Sequence, residues 1–534
     1  MYQTVIIKKA ENFPTLFNKE KLMSKDTKGK LNYGRTALIG FGFMGCMLLW
    51  SVYNSYVPVI LKGKLTEVFA GNSAFVQFIN EHSWLGWISV ALIVNAIMTI
   101  DNIFGVVFQP YFGKKSDTTK SKLGKRMPYI LICQPICALF FCFIPVAATV
   151  KTVGLSILLM MSVIICFNFL MSVWRSPVVS LMPDFTPSAL QSDANAVINI
   201  LGGIGQMVGF VVGTIAAVLV GIFGFDQMSA ALKATTNDLG EIIDSEGNRI
   251  LDALGNPQHV NYTPVFVVTA VISILCMIVL YGFYKKNKKY DLSANVEVDN
   301  SEGEKKAKIK IKNLPLSKEE KRSLFVMLAA LFLINNASEA IIPNFTNFAN
   351  STLGVAPIYS TLMMAVFAVS LAAFGIPAGV MGRKLGRKKT IMIGLFGIVV
   401  MFAIYLAISQ LLPKSADGSV NTFTWIALWV ALVVGGAAVG CININTLPLV
   451  LTIGGREYVG TFTGYYYTAT MSASVTGPIL CGLVIGLFNE DYNYMFLFCA
   501  IMFLLGLLVM TQVKHGESYE ITDEEIKQAQ MADD

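Results

Sequence analysis

Apolar residues in this chain gather into twelve blocks of roughly 20 to 28 residues, the length that crosses about 30 Å of hydrocarbon at 1.5 Å per residue. The pattern predicts membrane-spanning helices over 36–62, 84–111, 129–150, 153–182, 195–223, 264–284, 323–347, 356–381, 390–411, 424–452, 459–486 and 493–513. The expected fold class is therefore an all-α membrane protein. The first 35 residues are polar and basic, with no apolar segment followed by a small-residue cleavage site. No signal peptide is expected to be removed, so the first span anchors the mature chain.

Composition agrees with this pattern: 54% of the 534 residues are hydrophobic and only 14% are charged, a ratio unsuited to a water-soluble surface. Charge adds an orientation. Basic residues of short loops stay on the cytoplasmic side. With both termini inside, 34 of the 41 Lys and Arg residues fall in cytoplasmic segments. Lys62, Lys64, Lys151, Lys233, Arg249 and Lys414 fall outside, and Arg175 lies within a span. The net charge of +7 then reflects topology and contact with anionic lipid, and no nucleic-acid partner is expected.

The nine cysteines all sit in predicted spans without a CxxC pair and read as small packing residues. His82, His259 and His515 lie in loops or tails, which excludes an intramembrane histidine relay and a Cys/His metal site. No cofactor or metal is expected. The sequence shows no nucleophile elbow or phosphate loop near a membrane face, and no filter-like motif, so an enzyme or a channel is disfavoured.

The most polar stretch runs from Lys285 to Arg322 and divides six spans from six. Expected divisions are a cytoplasmic tail (1–35), a six-helix bundle (36–285), a linker (286–322), a second bundle (323–513) and a cytoplasmic tail (514–534). The halves carry matching signals, as in transporters built from repeats. PYFGKKSDTTKSKLGKRMP follows span 2 and PAGVMGRKLGRKKT follows span 8; SPVVSLMPD near the end of span 4 parallels LPLVLTIGG near the end of span 10. In span 5, Asn195, Asn199, Gly202, Gln206, Gly209 and Gly213 share a helical face; in span 11, Gly460, Gly464, Tyr467, Met471, Ser474 and Pro478 do so. Tight helix packing explains such faces, although Asn199 and Gln206 could also reach a polar cavity. A second polar segment, Phe225 to Thr263, carries no functional reading from its composition.

The loop GKKSDTTKSKLGKRMP resembles the signature of the major facilitator superfamily between spans 2 and 3, in the longer-spaced form of the glycoside-pentoside-hexuronide cation symporters. It is especially similar to that of their sucrose-transporter relatives. Gly113, Asp117, Gly124 and Arg126 match the pattern; Gly379, Gly386 and Arg387 match its shorter echo, where Arg383 stands in place of the usual Asp. The likeness continues through VWRSPVVSLMPDFTP and SDANAVINILGGIG, and reaches the second half mainly through the repeat. It implies the major facilitator fold and a cytoplasmic charge cluster that latches the halves in one conformation and is broken as they rock. A positive-inside anchor alone is the plainer reading of the same residues.

The predicted spans hold two carboxylates, Asp101 and Glu339, and one cation, Arg175. An ionised group at mid-helix costs about 2.5–3.5 kcal/mol on insertion scales, so each should face a cavity or a partner. Asp101 and Arg175 both lie roughly 14–18 Å from the cytoplasmic boundary at 1.5 Å per residue. They could form a structural ion pair, or a coupling site in which protonation of Asp101 releases Arg175. Related symporters use helix-2 carboxylates for cation coupling. Sodium needs several oxygen ligands, so H+ is the favoured coupling ion and Na+ the alternative.

Substrate contacts are expected from Tyr53, Asn54, Trp174, Asn199, Asn335, Asn336, Glu339, Asn443 and Asn445, since aromatic faces, amides and a carboxylate together recognise a neutral polyol. Span 1 also offers Trp50 and Tyr56. Trp174 aligns with an aromatic position lining the sugar site of melibiose-type relatives. Asn443 and Asn445 point about 200° apart, so only one should face a given cavity. One departure matters: melibiose-type members carry sugar-binding acids in helices 1 and 4, whereas residues 36–62 contain none and span 4 has none before Asp184. The sequence therefore points to the sucrose or maltose-like branch. The expected protein is a monomeric, multi-pass symporter of the plasma membrane, with a sugar substrate and the lipid bilayer as its partners. A sugar uniporter or exchanger, or a proton-linked antiporter of another small molecule, is the alternative.

Overall fold

A computed structural model describes residues 31–71, 74–82, 85–186, 191–244, 246–252, 255–291, 317–411, 420–454 and 459–514. Most of the two tails, residues 292–316 of the linker, Lys414, Gly455 and His515 lie outside them. The described chain is almost wholly helical. Twelve of its helices are long and apolar enough to cross a membrane: spans 1 (Tyr33–Ala70), 2 (Val90–Thr118), 3 (Met127–Ala148), 4 (Val153–Phe185), 5 (Val197–Ile222), 6 (Thr263–Tyr290), 7 (Lys318–Leu353), 8 (Pro357–Lys384), 9 (Arg387–Leu411), 10 (Thr422–Thr452), 11 (Phe462–Leu487) and 12 (Tyr494–Thr511). Helices satisfy their own backbone amides and leave apolar side chains such as Leu158, Ile376 and Phe396 exposed.

Two differences from the sequence reading follow from local chemistry. Span 1 continues past 62 to Ala70 because its two lysines find partners: Lys62 Nζ lies 2.7 Å from Asp238, and Lys64 Nζ 3.0 Å from Glu67. Span 2, read as continuous, is broken into Val90–Met98 and Ile100–Thr118. Thr99 ends the first piece by folding its hydroxyl back onto the Ala96 carbonyl at 2.8 Å. Such a local side-chain bond competes with helix continuation. The break leaves Asp101 in the first turn of a new helix, at its positive end.

The chain divides into two compact units. The first comprises Met1–His82, Ile100–Glu304 and Gly354–Leu362; the second comprises Ser83–Thr99, Lys305–Leu353 and Met363–Asp534. In the first, span 5 lies tightly on span 1: a Cβ on Gly205 would stand 2.3 Å from the Met44 carbonyl oxygen, and one on Gly209 2.6 Å from Ser51 Cβ. Without water to drive apolar burial, close backbone approach is what holds membrane helices together. The small-residue face of span 5 is thus a packing seam.

In the second unit the expected face of span 11 is packed only in its later part, where Ser474 and Pro478 are buried. Tyr467 and Met471 are exposed, and nothing approaches within 4 Å of a Cβ built on Gly464. The close approaches are at Gly477, against the Asn336 backbone, and at Gly482 and Gly486, against Ala91 and Ser89. The helix seated there, Val90–Met98, is fixed by polar contacts. Asn95 and Asn344 exchange two amide hydrogen bonds of 2.9 and 2.8 Å, and Glu490 accepts from the Ala91 N–H with both oxygens at 3.1 Å.

The polar segment after span 5 is a small ordered cap within the first unit. Asn237, Asp244 and Asp252 each open a turn closed by a glycine three residues on, with φ of +75°, +84° and +79°. In each turn the opening side chain accepts the N–H four residues later, at 3.0, 2.8 and 2.8 Å. The turns join in a ring: Ile242 N–H donates to Gln258, Gln258 N–H to Ile250, and Ile250 N–H to Ile242, at 2.7 to 2.9 Å. The Asn248 N–H holds the Asp244 carboxyl below the usual carboxylate range. Asp238 ties this cap to Lys62.

Candidate substrate and coupling site

Asp101, Trp50 and Arg175 meet within the first unit. The break in span 2 aims the Asp101 carboxylate at span 1, where Trp50 Nε1 donates to Oδ2 at 2.7 Å; Oδ1 accepts the Asn102 N–H at 2.6 Å. Span 4 brings the Arg175 guanidinium over the Trp50 ring, with Cζ 3.9 Å from the centroid. The two charges that the sequence suggests could pair are joined through an indole instead, and no ion pair of 4.0 Å or less links them among the described residues. Arg175 is half-buried and makes no hydrogen bond to another described side chain, so its N–H donors remain available. Sequence reasoning noted Trp50 as an aromatic of span 1 and missed this bridging position.

The expected sugar contacts separate into two sets. Tyr53 is fully buried, stacked on Phe167 with centroids 5.2 Å apart, and accepts from Asn168 Nδ2 at 3.0 Å. Asn336 bonds the Phe332 carbonyl and Thr476, which fixes span 7 to span 11. Asn445 bonds the Ala378 and Cys441 carbonyls, with Gly382 against its amide. Trp174 is 2% exposed, and its indole N–H meets no oxygen or nitrogen acceptor among the described residues. These four belong to the packed interior. Their hydrogen bonds run to the scaffold, and the Trp174 N–H makes none to an oxygen or nitrogen of the described residues.

The second set is exposed or half-buried. Asn54, one turn beyond Trp50, is half-buried and bonds no other described side chain; Asn443 is exposed and equally without one. Asn199 is exposed and bonds back to the Asn195 carbonyl at 2.8 Å, Asn335 is half-buried and bonds the Leu331 carbonyl at 2.8 Å, and Glu339 is exposed. The division of Asn443 from Asn445 follows the angle between them. That of Asn335 from Asn336 follows the same 100° step.

The motif residues after span 2 form a closed charge cluster. Arg126 is buried and spends all three nitrogens: Nε on Asp184 at 2.9 Å, one terminal nitrogen on Ser116 Oγ and the Gly113 carbonyl at 2.5 and 3.3 Å, and the other in an ion pair with Asp117. Burial works against its charge, but Asp184 and Asp117 outweigh that and raise its pKa above the ordinary value. A Cβ on Gly113 would stand 2.6 Å from Ser176 Oγ, and Gly124 (φ +89°) leaves room for the Tyr284 hydroxyl. Asp184, Ser116 and Tyr284 complete a cluster the motif alone did not reveal.

The echo after span 8 keeps the shape without counterparts of the two aspartates. Gly386 repeats the positive φ, at +90°, and Arg387 reaches span 10 through the Pro448 carbonyl and Thr452 Oγ1 at 3.1 and 2.8 Å. Arg383 is exposed. In the sequence, Gly455 stands where the first repeat has Asp184. The close helix approach falls at Gly382, three residues on from the expected Gly379, whose nearest neighbour would be 3.9 Å from a Cβ.

Residues 38–453 match the family described as MFS/sugar transport protein. The chain belongs to this family, within the major facilitator superfamily. It is a membrane transporter, not an enzyme. Solved structures share the fold. The nucleoside transporter NupG is 13% identical, with a TM-score of 0.56, over 89% of this chain and 100% of that one. The peptide transporter POT, crystallised with sulfate, is 11% identical, with a TM-score of 0.56, over 91% and 99%. A bacterial homologue of the iron transporter ferroportin, in an inward-facing state, is 11% identical, with a TM-score of 0.55, over 91% and 99%. No match was found among curated protein sequences.

Proposed function

We propose that this family member is a proton-coupled symporter that imports a sugar, a disaccharide or small oligosaccharide of the sucrose or maltose kind, by alternating access across the plasma membrane. The observation that carries the reading is the surroundings of Asp101. Both of its oxygens accept N–H donors, from Trp50 and Asn102. A proton needs one free lone pair there. A sodium ion would need a shell of several oxygens, whereas the partners that meet the Asp101 oxygens here are N–H donors. For the sugar, the support is the family's description together with the accessible polar groups Arg175, Asn54, Asn199, Asn335, Glu339 and Asn443.

The purified full-length protein in liposomes should accumulate labelled sucrose or maltose when an inward proton gradient is imposed, and should not when a sodium gradient of equal size replaces it. Sodium-driven accumulation would transfer the coupling to that ion. Equilibration without accumulation under either gradient would leave a uniporter.

A further inference from the structure

Proton-coupled transport requires that the state of the proton site reach another part of the molecule. Here the carboxylate and the nearest cation do not touch; one rigid ring touches both. We propose that Trp50 is a positioning residue that ties the protonation of Asp101 to the placement of Arg175. The proposal rests on the reading of Asp101 as the proton site.

The geometry uses two perpendicular features of an indole. Its N–H lies in the ring plane and points at Asp101 Oδ2, 2.7 Å away, while the face of the ring carries the guanidinium 3.9 Å from the centroid. Tryptophan is the best of the aromatic side chains for holding a cation on its face. While Asp101 is ionised, the charge-assisted N–H bond fixes the ring, and the ring seats Arg175 away from direct contact with the carboxylate. Protonation of Asp101 turns that bond into a neutral one of roughly half the strength. It also removes the negative charge that attracts Arg175. The ring is then free to turn, and the guanidinium, whose donors are otherwise unspent, is free to engage a polar ligand near Asn54. The other titratable groups that interact with this cluster are Tyr53, with Asp101, and Cys46, with Arg175, both from span 1.

Two substitutions separate positioning from mere packing because they move the titration in opposite directions. Trp50→Phe keeps the face and loses the donor, so the ionised carboxylate loses a stabilising bond. Trp50→Leu loses donor and spacer, so Arg175 can approach Asp101 and pair with it directly. The readout is infrared difference titration of the purified protein in lipid, following the C=O stretch of the protonated acid that is absent in Asp101→Asn. It needs no transported substrate. We expect the midpoint to move alkaline by about one pH unit in Trp50→Phe, the worth of one hydrogen bond to a charged group, and acid in Trp50→Leu. Equal midpoints in all variants, or shifts of one sign in Trp50→Phe and Trp50→Leu, would overturn the positioning role while leaving Asp101 as the proton site. Absence of any Asp101 band titrating in the unsubstituted protein would overturn both.

Discussion

Replacing Asp101 by asparagine should abolish uphill uptake and leave exchange of sugar down its gradient largely intact. Asparagine has nearly the same shape, and its Oδ1 can still accept the Trp50 N–H now bonded at 2.7 Å. The variant therefore stands in for the protonated, neutral form of Asp101, and the fold is retained. What disappears is the ability to take up and release a proton. A gradient of one pH unit is worth about 1.36 kcal/mol, so coupling of one proton per sugar drives about tenfold accumulation at equilibrium. In Asp101→Asn that ratio should fall to one, whereas exchange of labelled for unlabelled sugar across equal concentrations should continue. Retained pH-driven accumulation would remove Asp101 from the coupling step.

The second large effect is expected at Arg126. Its guanidinium is held by Asp184 and Asp117, whose side chains are 11% and 41% exposed. Removing one partner of a buried ion pair leaves an uncompensated charge, at a cost of about 3–5 kcal/mol, whereas an exposed pair is worth about 0–1 kcal/mol. Arg126→Ala should therefore lower thermal stability in detergent far more than Asp117→Asn does, with Asp184→Asn nearer to Arg126→Ala. Asp117 has a separate test. Its charge reversal, Asp117→Arg, places two cations together where the cluster must form and break. It should slow transport severalfold while sugar affinity, measured by equilibrium binding, stays nearly unchanged. An unchanged transport rate would deprive the cluster of its latch role and leave a structural anchor.

Hydropathy was enough to locate the spans, because a lipid-facing helix must be apolar around most of its surface. It concealed the break at Thr99, since VALIVNAIMTIDNIFG is apolar through the break and only the Thr99 hydroxyl and the Asp101 carboxylate disturb the backbone. The repeat signals located the Arg126 and Arg387 loops. They did not reveal Asp184 as the deeper partner, because that contact joins residues 58 positions apart. The adjacent pair Asn335 and Asn336 shows the finer limit. Composition marked both as sugar contacts, yet one helical step of 100° turns Asn336 into the seam with span 11. Trp50 was visible as an aromatic but not as a bridge, since its role exists only once spans 1, 2 and 4 are assembled around it.

Coupling itself is tested most directly by following protons and sugar together. Liposomes containing the protein, with no gradient imposed and a pH-sensitive dye inside, are given the transported sugar outside. The account predicts that the lumen acidifies as the sugar enters, and that Asp101→Asn lets sugar in without acidification. Entry of sugar with no proton movement in the unsubstituted protein, or protons leaving as sugar enters, would contradict it.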